Sequence, residues 1–243
     1  MMQAPQSGSA ADRDFYDRAS DITEAQHKEF MGEIESYFRS YADWLDQRLA
    51  GTGGVLLELG AGSCGLSVCA SRLRSARRVV AADISTVRMD MLLTTSVAIL
   101  NGNPRLIETV SCDFNERLPF NDGSVDAILF DAALHHARSI WGLLAECRRI
   151  INPNGVLIAQ RESYLSPLRA GRQLQALLKT PEVAAKVSEN MYLLEQYAYY
   201  LQVNGFSPSF RRFSRSRLKR ALWPLNGRVF TDGVLICDVS KAV

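Results

Sequence analysis

Short apolar runs alternate along the chain with longer segments in which apolar residues recur at helical spacing. The clearest run, Val55–Leu59, follows Gly53-Gly54 and leads into a glycine-rich turn. A continuous apolar run of this length is typical of a strand that is buried in a parallel sheet. Similar runs predict four further strands, at residues 79–82, 106–112, 127–130 and 156–160.

The first fifty residues have a different pattern. Residues 1–12 are small and polar, which predicts no ordered structure. Asp21 followed by Glu24 resembles a helix-opening capping box, and apolar residues then recur at helical spacing from Phe30 to Leu49. We therefore interpret residues 1–50 as a tail and helical cap, and residues 51–243 as one domain.

The turn after the first strand carries three glycines, Gly60, Gly62 and Gly65. Glycines let a ligand lie on bare backbone, and the N–H groups of a following helix favour an anionic group. Asp83, at the end of the second strand, is placed to accept hydrogen bonds from a ribose diol. A dinucleotide also fits this pattern. Glu58 argues against it, since a carboxylate there repels a pyrophosphate and suits a ligand with ammonium and sulfonium groups.

Three motifs carry a resemblance to class I S-adenosylmethionine-dependent methyltransferases. ELGAGSCG at 58–65 resembles the first motif of that family, LPFNDGSVD at 118–126 its signature before the fourth strand, and RRIINPNGVLIA at 148–159 its last shared motif. Asn152 and Asn154 depart from the usual pattern. The resemblance implies an α/β fold with three layers, doubly wound and Rossmann-like. It further implies a seven-stranded, mostly parallel sheet, N-terminal helices and a helical insertion at about 163–200, before the last two strands at 206–214 and 229–240.

The resemblance also implies the cofactor S-adenosylmethionine and the side chains that hold it. Asp83 matches the acid that binds ribose, Asp113 the acceptor of the adenine amino group, and Phe114 the wall of the adenine pocket. Tyr16 matches an aromatic residue that closes over the cofactor. The cofactor-binding residues expected on this basis are Glu58, Gly60, Ala61, Gly62, Asp83, Ile84, Asp113, Phe114, Asp131, His136 and Tyr16.

Candidates for a general base follow the fourth and fifth strands. A base is needed when a hydroxyl acceptor must lose a proton, whereas an amine can arrive neutral. His135 is the preferred base, because a histidine titrates near neutral pH. Glu162 is the second candidate for a catalytic residue. In the family, one imidazole of such a pair packs under the cofactor, and we assign that place to His136.

The acceptor class is narrowed by motifs that the sequence lacks. An Asp/Asn-Pro-Pro-aromatic loop, which holds a flipped base in enzymes that methylate amino groups of nucleic acids, is replaced by Asp131-Ala-Ala-Leu134. No cysteine follows a proline, so carbon-5 methylation of pyrimidines is also disfavoured. We expect methyl transfer to an oxygen or nitrogen of a small metabolite, as in natural-product or glycan biosynthesis, and no nucleic-acid partner. The alternatives are an NAD-dependent oxidoreductase and a non-catalytic cofactor-binding module that serves a partner protein.

The composition of the chain says less about function than the motifs do. The net charge of +2 does not indicate a particular class of binding partner. The five cysteines form no CxxC pair, so we expect no metal site and a cytoplasmic protein with reduced thiols. No signal peptide and no apolar run of about 20 residues is visible. Six basic residues lie between Arg211 and Arg220. They are interpreted as a solvated face, with an anionic acceptor or surface as the alternative.

Overall fold

The computed structural model describes residues 8–18, 22–213, 216–217 and 233–240. The helices are α1 (Gly8–Arg18), α2 (Glu24–Phe38), α3 (Ala42–Leu49), α4 (Gly65–Ala70), α5 (Thr86–Leu100), α6 (Ile140–Ile150), α7 (Ala170–Leu177), α8 (Pro181–Ala184) and α9 (Leu194–Val203). The strands are β1 (Val55–Leu59), β2 (Arg78–Asp83), β3 (Ile107–Ser111), β4 (Val125–Asp131), β5 (Ile151–Gln160), β6 (Phe206–Arg212) and β7 (Gly233–Val239). Short 3-10 turns lie at Pro104–Leu106 and Leu134–His136.

The strands form one seven-stranded sheet in the order β3-β2-β1-β4-β5-β7-β6. Strands β1 to β5 pair in parallel, and β7 runs antiparallel between β5 and β6. The predicted doubly wound, mostly parallel sheet is therefore confirmed. The chain adds β2 and β3 on one side of β1 and β4 on the other, so the carboxyl ends of β1 and β4 flank a switch point where α/β sheets bind ligands.

Alternate residues of the central strands bury themselves in two separate clusters. Leu57 and Leu59 of β1 face a cluster with α6 and α9, whereas Leu56 faces a cluster with α2, α3 and α4. Burial on both faces explains why β1 reads as a continuous apolar run rather than an alternating one. The two clusters are the hydrophobic cores of a three-layer arrangement.

The N-terminal part differs from its prediction. Helix α1 begins at Gly8, inside the stretch expected to lack structure. The capping box of α2 is formed by Thr23 and Gln26, because the Thr23 side chain accepts the Gln26 N–H at 3.3 Å. The predicted box was therefore wrong; its Asp21 lies outside the described residues. The stretch of helical spacing from Phe30 to Leu49 is divided between α2 and α3 by a turn at residues 39–41.

Residue types at the helix ends determine two further boundaries. Ser85 caps α5 by accepting the Arg88 N–H at 3.1 Å, and the insertion breaks before Pro181, the first residue of α8. In the basic stretch, Arg211 lies over the Trp44 ring at 5.0 Å, while Arg215, Lys219 and Arg220 fall outside the described residues. None of the described helices combines the length and the apolar character that a membrane crossing requires.

Candidate active site

A cavity of about 260 Å3 lies at the carboxyl ends of β1, β2 and β4. Helix α1 covers it with Asp12 and Tyr16, and the cover segment, which we define as residues 181–190, covers it with Glu182, Val187 and Ser188. The sequence-predicted residues on its wall are Tyr16, Gly60, Ala61, Gly62, Asp83, Ile84, Asp113, Phe114, Asp131 and His136. The sequence thus located this cavity, and three other predicted residues lie elsewhere.

The glycine loop forms the floor of the cavity. Gly60 and Gly62 have φ angles of +71° and +49°, a backbone region that favours glycine. A Cβ at Gly60 would stand 2.7 Å from the Cβ of Ala133 and 3.2 Å from a ring carbon of Phe114. The close approach of these neighbours explains why only bare backbone fits at this point.

Asp83 is fixed by the backbone around it. Its Oδ2 accepts the Gly62 N–H and its Oδ1 accepts the Ser85 N–H, each at 2.8 Å. The residue is 8% exposed, and burial raises the pKa of the carboxyl group, although the two N–H donors oppose that shift. Each carboxylate oxygen has a second lone pair, so Asp83 can still accept hydrogen bonds from a ligand in the cavity.

Arg88, in the first turn of α5, lines the cavity but was not predicted from the sequence as a site residue. Its Nε is buried and has no hydrogen-bond partner. Leaving a buried donor unpaired costs about 1–3 kcal/mol, so the vacant hydrogen bond indicates an acceptor on the ligand. The signal in the sequence was weak, because an arginine one turn after Ser85 is also typical of a solvated helix face.

Asp113 and Phe114 lie together at the end of the cavity near β3. The Asp113 Oδ2 pairs with Arg138 Nη2 at 2.9 Å, and its Oδ1 accepts the Asn115 N–H at 2.9 Å. Phe114 contributes its ring to the wall. The loop after β3 therefore offers a flat apolar surface beside an oriented carboxylate.

Glu58 lies behind the glycine loop rather than on the cavity wall. It is 1% exposed, and its Oε2 accepts both the backbone N–H of Ser67 at 2.6 Å and the Ser67 hydroxyl at 2.5 Å. Burial raises the pKa of Glu58 to about 8. The structure therefore shows Glu58 anchoring the start of α4, and its expected contact with a bound ligand stays a prediction.

His135 and Glu162 form a buried pair outside the main cavity. The Glu162 carboxylate accepts the N–H groups of Ala133, Leu134 and His135 at 3.1–3.2 Å and lies 2.6 Å from His135 Nδ1. Burial alone would raise the pKa of Glu162, but His135 and the backbone donors together hold it below its ordinary value. This arrangement fixes the turn after β4. The preferred base is thus buried behind His136, which lies on the cavity wall 3.3 Å from the Tyr16 hydroxyl.

A second cavity of about 280 Å3 adjoins the first. Both cavities share Ala132 and Arg161, and Glu162 lines the second one. Arg161 makes a bidentate pair with Asp131, with distances of 2.8 and 2.9 Å, and a 2.8 Å contact with Glu33. The Arg161 guanidinium also lies 4.3 Å from the centre of the Phe30 ring. Arg161 therefore ties the ends of β4 and β5 to α2, at the boundary between the two cavities.

Comparison with known proteins identifies the domain that builds this site. Residues 57–159, which run from β1 through β5, match the family model of a methyltransferase domain. The chain therefore carries a methyltransferase domain of the class I, S-adenosylmethionine-dependent type. Its cofactor is S-adenosylmethionine, which supplies a methyl group activated by a sulfonium.

Solved structures of methyltransferases share the fold at low sequence identity. A chain of the Haloferax volcanii complex between the Trm112 methyltransferase activator and a methyltransferase has a TM-score of 0.63 and 17% identity, covering 96% of this chain and 99% of that one. An O-methyltransferase family protein from Burkholderia thailandensis has a TM-score of 0.61 and 14% identity, covering 89% and 60%. An S-adenosylmethionine-dependent methyltransferase from Mesorhizobium loti has a TM-score of 0.57 and 19% identity, covering 82% and 97%. No curated protein sequence matches the chain.

The residues of the main cavity fit the cofactor of this methyltransferase. Asp83 retains lone pairs for ribose hydroxyl groups, and Arg88 Nε lacks the acceptor that a carboxylate would provide. Gly60 and Gly62 leave room for direct contact with the backbone, and Phe114 provides an apolar surface for a purine. The chain thus contains groups of the right kind for the ribose, the carboxylate and the purine of S-adenosylmethionine.

Proposed function

We propose that this methyltransferase acts on an oxygen or nitrogen atom of a small metabolite. The observation that supports the proposal is the roof over the cofactor cavity, which is formed by α1 and the cover segment. Tyr16 of α1 lies beside His136, and Asn190 of the cover segment donates hydrogen bonds to the carbonyl groups of His135 and Ala137. These contacts hold both segments over the cavity, and a small acceptor fits beneath them more readily than a folded macromolecule.

We propose the following roles around the cofactor. Asp83 accepts hydrogen bonds from the ribose, and Asp113 with Phe114 holds the adenine. The glycine loop contacts the methionine portion, and Tyr16 closes over the cofactor. His136 forms part of the wall beside the reacting methyl group, whereas Glu162 positions the turn that carries His136.

We propose that the acceptor binds in the second cavity, because this cavity meets the first at Ala132 and Arg161. Its charge favours a neutral or cationic molecule. Arg161 is already paired with Asp131 and Glu33, so an anionic acceptor would have to displace one of these carboxylates. A hydroxylated compound or an amine meets no such competition.

The proposal is tested by supplying S-adenosylmethionine with a panel of small alcohols, phenols and amines, and measuring S-adenosylhomocysteine by mass spectrometry. We expect turnover with a member of this panel and none with folded RNA or protein. Methylation of a macromolecule alone would refute the proposed acceptor class. Calorimetry adds a check on the alternatives, since we expect S-adenosylhomocysteine to bind and NAD not to bind. Tight cofactor binding without any turnover would instead favour a non-catalytic module.

A further inference from the structure

Three side chains above the cofactor cavity bring metal-ligating atoms together. His135 and His136 come from the 3-10 turn after β4, and Glu189 comes from the cover segment. One ligand atom from each residue lies within 4.8 Å of the others. The side chains are 5%, 21% and 11% exposed, respectively, so these groups are largely shielded from water.

The tautomer of His135 is set by its buried partner. Nδ1 of His135 lies 2.6 Å from Glu162 Oε2, and a carboxylate there takes the N–H of the ring. In the neutral ring, Nε2 then carries a lone pair, and it faces Glu189 Oε1 at 3.7 Å. Two electron-rich atoms repel one another at this distance unless a cation lies between them. The separation is too long for a hydrogen bond, so a proton on Nε2 would bridge the two atoms poorly.

Glu189 has a second oxygen that lacks a donor. Its Oε2 is buried without a hydrogen bond, although it lies 2.9 Å from His136 Nδ1. His136 Nδ1 also lies 3.0 Å from the Ser188 carbonyl, and as a metal ligand the ring would carry its proton on Nε2, so that Nδ1 faces both oxygens with a lone pair. The short distance therefore leaves the carboxylate oxygen unsatisfied. A buried acceptor without a partner points to a missing ligand.

We propose that His135, His136 and Glu189 form a binding site for a divalent metal ion, with zinc the best match. Two imidazoles and one carboxylate are the ligands of many catalytic zinc sites, which keep a fourth position open. A tetrahedral ion with bonds of about 2.0–2.1 Å separates its ligand atoms by roughly 3.3 Å. The distance from Glu189 Oε2 to His136 Nδ1 is 2.9 Å and that from Glu189 Oε1 to His135 Nε2 is 3.7 Å, while one ligand atom from each residue lies within 4.8 Å of the others, so binding of an ion would draw the three side chains closer together. Glu162 behind His135 matches the carboxylate that usually orients a metal-bound histidine.

An ion held by these residues would lie next to the cofactor cavity. His136 and Ser188 both line the cofactor cavity, so the ion lies at its wall rather than in the core. A coordinated hydroxyl has a lower pKa than a free one and passes its proton to water more readily. The metal would thus activate an alcohol or phenol acceptor whose hydroxyl group reaches from the second cavity into the cofactor cavity. This role rests on the proposed function, whereas metal binding itself does not.

Metal binding is tested on the full chain after treatment with a chelator, without cofactor or acceptor. Titration with zinc chloride in a calorimeter should give one site per chain, and the melting temperature should rise with zinc. Cobalt should add visible absorption bands typical of a tetrahedral nitrogen and oxygen site. Failure of these measurements would overturn the metal site and leave the proposed methyl transfer untouched.

Variants locate the site. Glu189→Gln keeps the shape of the side chain but removes a ligand charge, and we expect at least about tenfold weaker zinc binding, as typically follows from damage to a metal site. Glu195→Gln, an exposed glutamate of α9, is the matched control and should bind zinc like the wild type. A melting curve of each metal-free variant checks that it folds. Equal zinc affinity in Glu189→Gln and the wild type would place the metal elsewhere and refute the proposal.

Discussion

Asp83→Asn tests the central contact of the cofactor site. Both carboxylate oxygens accept a backbone N–H at 2.8 Å, from Gly62 and Ser85. Asparagine has nearly the same shape but offers one acceptor, so one N–H then faces an amide NH2 group. A hydrogen bond to a charged acceptor contributes about 1.5–3 kcal/mol. At about 2–4 °C per kcal/mol for a chain of this size, the melting temperature should fall by about 3–12 °C.

Cofactor affinity should fall in the same variant. If Asp83 also accepts a ribose hydroxyl, loss of its charge should weaken binding of S-adenosylhomocysteine by about 10–150-fold, which corresponds to the same 1.5–3 kcal/mol. Calorimetry measures the affinity and differential scanning calorimetry the melting temperature. Asp90→Asn, an exposed aspartate of α5, is the control and should change neither value. Wild-type affinity in a folded Asp83→Asn protein would refute the assignment of the ribose site to the end of β2.

Two further predictions concern the glycine loop and the residue behind it. Because burial raises the pKa of Glu58 from 4.5 to about 8, the folded protein keeps a proton that the unfolded chain releases, so stability should fall as pH rises between these values. Urea unfolding should show a smaller fall in Glu58→Gln, and equal pH dependence in both proteins would contradict the shift. Gly60→Ala should destabilise the protein by about 1–3 kcal/mol through its positive φ and the nearby Ala133. Thermal melting should show no loss for Gly32→Ala, because an added Cβ in helix α2 meets no atom within 4 Å outside the local backbone and alanine favours the helix; similar losses in both variants would refute this reasoning.

Local chemistry explains which parts of the structure could be predicted from the sequence. Positive φ at Gly60 and the cap at Ser85 depend on residue type and near neighbours, so both could be recognised in the sequence. The ends of β1, β2 and β4 followed from apolar runs and placed Asp83 and Asp131 at one edge of the sheet. The fold and the position of the cavity were therefore accessible without coordinates.

Contacts between distant segments could not be predicted in this way. His135 and His136 are neighbours in a 3-10 turn, and only the structure shows that His135 meets Glu162 while His136 meets the cavity. Glu189 approaches both rings across more than fifty residues of chain, so the cysteine count, which predicted no metal site, carried no information about it. Glu58 follows the family pattern, yet its orientation depends on Ser67 of a later helix.

The roof contributed by α1 has a consequence for how long the protein retains its cofactor. Among the residues that the structure describes, neither hydrophobic cluster includes a side chain of α1. The helix instead attaches through polar contacts, such as that between Ser85 and Asp17 at 2.6 Å. We therefore expect thermodynamic stability and the residence time of the cofactor to depend on separate parts of the chain. Substitutions in α1 could tune product release while leaving the folded core unchanged.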